Sequence, residues 1–202
     1  MYNLLFSFVE ISNKLVSLLD NSLGIWYLII LNAFGVIAIC CKVCEYQFRG
    51  RNTIFLFAMF ALILWVLYFV FQGDFVSAIA NIISFTSVFI FSKREKCKWA
   101  RSVWWLILFV AIQCLLSAFA FKSWKDLFAF AAGVVGVFAY FCIDLKKYRF
   151  LSFFYAVAWL GNSLFKMYPV ALCCDVFSTI SVTLAIIRYD IKGIPEENKN
   201  LN

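Results

Sequence analysis

WVLYFVFQGDFVSAIANIISFTSVFIFSKR, residues 65–94, lies on WLGNSLFKMYPVALCCDVFSTISVTLAIIR, residues 159–188, in one gapless register with a shift of 94. Trp65 falls on Trp159, Phe71 on Phe165, Val76 on Val170, Ser84 on Ser178, Ser87 on Ser181, Val88 on Val182 and Arg94 on Arg188. Seven matches in thirty positions exceed the roughly two or three expected from so Phe- and Val-rich a composition. Each copy is a pair of apolar runs split by a short link, Gln72-Gly73-Asp74 in one and Met167-Tyr168-Pro169 in the other. Links that short make the two runs antiparallel neighbours, and Pro169 suits a first helical turn, where no backbone donor is lost. Asn81 becomes Asp175, a polar group in mid-run both times. A duplicated membrane bundle with matched polar groups at mid-depth is a common transporter plan.

Around this pair, the 202 residues are 65% apolar, 20% aromatic and 14% charged, too little polar surface to clothe a soluble domain of that size. Seven apolar runs are expected to cross a bilayer, at 24–44, 53–71, 74–92, 102–121, 126–144, 150–167 and 169–188. A helix needs about 20 residues to cross a hydrocarbon core of about 30 Å. The runs are continuously apolar rather than alternating, which argues against a β-barrel.

The net charge of +7 suggests a nucleic-acid partner until the charges are placed. Lys42, Arg49, Arg51, Lys93, Arg94, Lys96, Lys98, Arg101, Lys146, Lys147, Arg149, Arg188, Lys192 and Lys199 fall on one side of the membrane. Lys14, Lys122, Lys125 and Lys166 fall on the other. That asymmetry puts the N-terminus outside and the C-terminus in the cytoplasm. The basic loops then read as topology signals and contacts to anionic lipid, with no nucleic acid. Trp26, Tyr27, Trp99, Trp104, Trp105, Trp124, Tyr148 and Tyr168 sit near run ends and read as interfacial anchors. Residues 1–23 lack the basic start of a signal peptide and are expected to form an amphipathic helix on the outer face. The eight cysteines fall within or beside the spans and are expected to be reduced.

With four residues inserted after the first run, Gly35 meets Gly133 and Cys44 meets Cys142, so the first and fifth runs join the repeat. The expected fold is an all-α membrane protein, seven transmembrane helices in a 3+1+3 arrangement of parallel three-helix repeats. A single linker helix must return the chain before a second copy can have the same orientation. The units are 1–23, an extracytoplasmic segment; 24–92, the first repeat; 93–125, a basic loop and linker helix; 126–188, the second repeat; and 189–202, a polar cytoplasmic tail.

Ser77, Asn81, Ser84 and Val88 share one helical stripe, as do Ala171, Asp175, Ser178 and Val182. The runs before them add Trp65, Tyr68 and Gln72, and Trp159, Asn162, Ser163 and Lys166. In a two-fold bundle these faces can converge on a central cavity. Trp65, Tyr68, Asn81, Ser84, Trp159, Asn162, Asp175 and Ser178 are therefore the candidate solute-binding residues, acting by stacking and hydrogen bonding. Asp175 is the sharpest of them, because an ionised carboxylate at mid-membrane costs about 2.5–3.5 kcal/mol even on a lenient scale. A cationic solute, a proton, or Lys166 can offset that cost, although the same residues can equally serve as glue between helices. Cys41-x-x-Cys44 and Cys173-Cys174 are weak metal motifs in a chain without histidine, so neither a metal nor another cofactor is expected. Lacking His, a phosphate loop and paired catalytic carboxylates, the chain does not read as an enzyme.

NAFGVIA at 32–38, GDFVSAIANIISF at 73–85 and WLGNSLF at 159–165 resemble the YgjV family of bacterial inner-membrane proteins. The 3+1+3 pattern is more distantly similar to SWEET sugar facilitators and PnuC vitamin transporters. In SWEET-type proteins a Trp on the second helix and an Asn on the third helix of each repeat line the substrate site. That resemblance implies roles for Trp65 with Asn81 and for Trp159 with Asp175. The SWEET Pro-Gln signature and hinge prolines are missing, since the prolines are Pro169 and Pro195. The expected function is transport of a small polar or cationic solute, vitamin-, nucleoside- or sugar-like, by alternating access through the inner membrane. The alternative is a membrane receptor or assembly protein on the same bundle, and a homo-oligomer is compatible with both.

Overall fold

A computed structural model describes residues 24–48, 50–94 and 97–193, together with Lys14 and Ser17. The expected amphipathic segment at 1–23 and most of the tail at 189–202 lie outside the described residues, as do Arg49, Glu95 and Lys96. Among the described residues the regular structure is helical. In chain order the helices are α1 (Ile25–Gln47), α2 (Arg51–Phe71), α3 (Phe75–Ser92), α4 (Val103–Ala120), α5 (Asp126–Phe141), α6 (Leu145–Lys166) and α7 (Pro169–Ala185). A short 3-10 turn, Lys98–Arg101, precedes α4, and a π-helical turn, Ile186–Ile191, continues α7.

Local chemistry sets these bounds. Asp74 caps α3 by accepting from the Ser77 backbone N–H at 3.3 Å and from its hydroxyl at 2.6 Å. Ser102 caps α4 through the Trp104 N–H at 3.3 Å, and Asp144 caps α6 through the Lys146 N–H at 2.9 Å. At the other end of α6, Met167 turns left-handed at φ 57°, and the Tyr168 N–H closes back on the Ser163 carbonyl at 3.0 Å. Pro169 then opens α7 without losing a backbone bond.

Among the described residues four helical segments are long and apolar enough to cross a membrane: Ile25–Gln47, Arg51–Phe71, Phe75–Ser92 and Pro169–Ile191. The expectation that all seven runs reach that length is met only in part. Val103–Phe119 and Asp126–Phe141 are shorter apolar helices. The cap at Asp144 starts α6 well before the expected residue 150, so its first turn takes in Lys146 and Lys147 and dilutes its apolar character.

Neighbours pack in the order α1–α2–α3–α5–α6–α7 and back to α1, which closes a six-helix ring, while α4 leans on α3 and α5. Large apolar side chains such as Val36, Phe60, Phe150, Phe154, Phe177 and Leu184 are exposed on the outside. Ser77, Asn81, Ser87, Gln113, Asn162 and Ser163 are buried within. Such inverted polarity suits hydrocarbon as the solvent, where helix association rests on close packing and interhelical hydrogen bonds.

Glycines provide the close approaches. A Cβ at Gly136 on α5 would stand 2.8 Å from Cε2 and 3.0 Å from Cδ2 of the buried Tyr155 ring on α6. Gly136→Ala is expected to cost about 1–3 kcal/mol through overpacking. Thermal unfolding in detergent reads this, and an unchanged melting point would show that the two helices are not in close register there.

Several charges assigned to loops belong to the bundle instead. Lys42, Arg51 and Arg149 are nearly inaccessible, at 5%, 4% and 2% exposure. The Arg51 guanidinium reaches the Phe91 carbonyl, and Arg94 donates to the Phe141 carbonyl, so each satisfies the open end of a neighbouring helix. Arg149 makes a two-pronged pair with Asp190, at 2.6 and 3.0 Å. Of the expected interfacial anchors, Trp26, Trp99, Trp104 and Trp124 are exposed, whereas Tyr27 and Tyr148 are core residues with bonded hydroxyls.

Candidate functional site

Four of the candidate residues share one depth. Trp65 lies six residues before the end of α2, Asn81 six after the start of α3, Trp159 seven before the end of α6 and Asp175 six after the start of α7. At 1.5 Å per residue each sits roughly 9–10 Å below its helix end. Lys166, at the end of α6, is ion-paired with Asp74 at the start of α3, so these ends lie on one side of the bundle. All four residues line one small cavity of about 20 Å³, and Ser178 joins them.

Tyr68, Ser84 and Asn162 are not brought to the cavity wall. Tyr68 stands edge-on to Trp65, with ring centroids 5.2 Å apart, and its hydroxyl accepts from Gln72. Asn162 donates to the Ser77 hydroxyl at 3.3 Å and ties α6 to α3. The Ser84 hydroxyl is buried beside Gly136 and has no hydrogen-bond partner among the described residues. These three support the wall from behind: each follows a cavity residue by three positions, which leaves it about 60° around the helix from that residue and turned toward a helix interface.

Asp175 accepts a hydrogen bond from the Ser163 hydroxyl at 2.5 Å. Among the described residues it forms no salt bridge. Lys166, which the sequence offered as its counter-ion, instead sits between Asp74 and Asp126 at 2.8 and 2.7 Å. Those two acids begin α3 and α5, at the end of the bundle that α6 reaches with its last residue, so Lys166 is drawn there. Asp126 also accepts from the backbone N–H groups of Lys122 and Ser123. Close by, in the link between α6 and α7, burial and the Asp74 carboxylate push the Tyr168 phenol up, keeping it neutral.

The cavity also holds Lys42, a residue counted as a loop charge on sequence grounds. Helix α1 runs on to Gln47, and so Lys42 is enclosed rather than solvated. Its ammonium donates to Glu45 at 2.8 Å and to the Tyr140 hydroxyl at 3.1 Å, and faces the Tyr155 ring at 4.9 Å. The Tyr148 hydroxyl donates to the other Glu45 oxygen. The signals for this network were the Lys42-x-x-Glu45 spacing and the seven-residue step from Tyr148 to Tyr155 on one helical face. Lys42 therefore already has its anion, and Asp175 is the cavity charge left without a partner ion among the described residues.

Asn81 turns its amide donor back to the Ser77 carbonyl at 2.7 Å. Overhead, the Phe69 ring lies between the two indoles, stacked on Trp65 and on Trp159 at 5.5 Å each. The cysteines are free thiols, and no group of potential metal ligands forms among the described residues.

Apolar helices around a buried, partly charged cavity define a polytopic membrane protein. The chain belongs to the Imp-YgjV family, described as bacterial inner membrane protein, whose family model matches residues 29–192. No curated protein and no solved structure matches the chain.

Proposed function

We propose that the protein is a transporter or facilitator that moves a small polar or cationic solute across the inner membrane by alternating access around this cavity. One observation carries the reading: repeat-related pairs, Trp65 with Trp159 and Asn81 with Asp175, line the same hollow, and Asp175 forms no salt bridge among the described residues, Lys42 being paired with Glu45. Aromatic walls and a desolvated carboxylate attract an organic cation by stacking, cation–π contact and charge.

The wider architecture in this reading is two parallel three-helix repeats, α1–α3 and α5–α7, linked by α4, in the SWEET and PnuC manner. The ring order supports it, since stepping three places around α1–α2–α3–α5–α6–α7 carries each helix onto its repeat counterpart. The charge asymmetry supports an outer N-terminus and an inner C-terminus. On that orientation the Lys166 cluster closes the outer end, and the Lys42–Glu45–Tyr148 network lies toward the cytoplasm. Exchange of these closures would alternate access. No catalytic step and no nucleic acid enter the scheme.

The test is uptake by the full chain in proteoliposomes against a panel of labelled vitamins, nucleosides, sugars and organic cations. Accumulation of one panel member by the wild type and not by Trp65→Ala/Trp159→Ala supports the reading. Fluxes no faster than in protein-free vesicles across the panel contradict it.

A further inference from the structure

The two repeats differ at one cavity-side position in a way that bears on what the cavity takes. Phe69 and Ser163 are equivalent under the 94-residue shift. In the second half this position is a hydroxyl that holds Asp175. In the first half it is a phenyl ring, 2% exposed, stacked at 28° on Trp65 and at 16° on Trp159, with Tyr68 and Tyr168 against its edges. A ring stacked on an indole at either side is in a slot suited to a flat π-system, and Phe69 is its present occupant. The side chain has two torsions and lies four residues from Gly73, at φ 70°, where α2 gives way to the link. It can therefore leave the slot by a side-chain rotation together with movement at the end of α2.

We propose that Phe69 is a displaceable internal plug, and that the solute is a flat, unsaturated ring compound which takes the place of the phenyl ring between Trp65 and Trp159. This rests on the transporter reading above, and adds the chemical class of its substrate. Asp175 and Asn81, on the helices that follow the two tryptophan-bearing ones, meet the polar edge of that ring. A puckered saturated ring presents no π-face and cannot reproduce both stacking contacts.

The experiment compares benzylammonium with cyclohexylmethylammonium, two probes of equal charge and similar size that differ in ring flatness. Binding to the purified full chain is measured by calorimetry for the wild type and for Phe69→Ala. Emptying the slot is expected to tighten benzylammonium about tenfold, while cyclohexylmethylammonium gains about threefold or less, in line with the worth of aromatic stacking. Phe69→Leu, which keeps most of the volume but not the flat faces, is expected to show the same preference at about threefold and serves if the alanine chain does not accumulate. Equal gains for the two probes would overturn the flat-ring class and leave the solute site standing. Failure of both probes to bind any of the three chains would overturn the proposal together with the site it rests on. Weaker benzylammonium binding in both variants would show that Phe69 is part of the wall rather than a plug.

Discussion

Asp175→Asn is expected to insert, fold and lose solute uptake. Asparagine keeps the size of the side chain and can still accept from the Ser163 hydroxyl, so the local packing has no reason to change. The charge is what disappears. Removing one partner of a desolvated ion pair typically costs about 2–5 kcal/mol, so affinity for a cationic solute should fall by roughly thirty-fold or more. Asp175→Glu, which retains the charge but moves it by one methylene, should keep part of the activity. The measurements are uptake in proteoliposomes, with size-exclusion chromatography and thermal unfolding to confirm the fold. Undiminished uptake by Asp175→Asn would remove the carboxylate from solute binding, and a collapse of the fold would recast it as a helix lock.

The largest stability effect is expected at Lys166. Its ammonium bridges two carboxylates that are themselves 5% and 7% exposed, and it joins α6 to α3 and α5 at one end of the ring. Lys166→Met strands both acids in a dry site, for which about 3–5 kcal/mol is the usual cost of breaking a buried pair. Adding Asp74→Asn and Asp126→Asn should recover much of that loss, although Asp74 also caps α3 through Ser77. Thermal unfolding in detergent across the single, double and triple variants gives the coupling. Additive effects would show that the cluster is not a connected lock.

Much of the fold was legible because lipid imposes one rule on every span, and the two copies carry the rule in the same register. Trp65, Trp159, Asn81 and Asp175 were legible as a set for that reason. The charged residues were harder. Lys42 and Lys166 look like loop charges at run ends, yet Lys166 is enclosed by acids from distant parts of the chain and Lys42, paired with Glu45, by tyrosines from distant parts, and hydropathy cannot see a partner 92 residues away. The early start of α6 was hidden by its basic first turn, where a capping aspartate decides what apolar content does not. Tyr68, Asn162 and Ser84 share stripes with the cavity residues, but a few tens of degrees of helix rotation decide between wall and interface, and spacing alone does not fix that angle. Phe69 carried no signal at all, since one phenylalanine among 25 is unremarkable until its neighbours in space are known.

The central claim is that one hollow, built from both halves of the chain, binds a solute through Asp175. It is met most directly by thermal unfolding of the purified full chain with and without each member of the solute panel, run in parallel on Asp175→Asn. A ligand of the folded state raises the melting point in proportion to its occupancy. A ring-bearing cation is expected to raise the melting point of the wild type and to leave that of Asp175→Asn unchanged. A solute that stabilises both proteins equally, or a panel that stabilises neither, would contradict it.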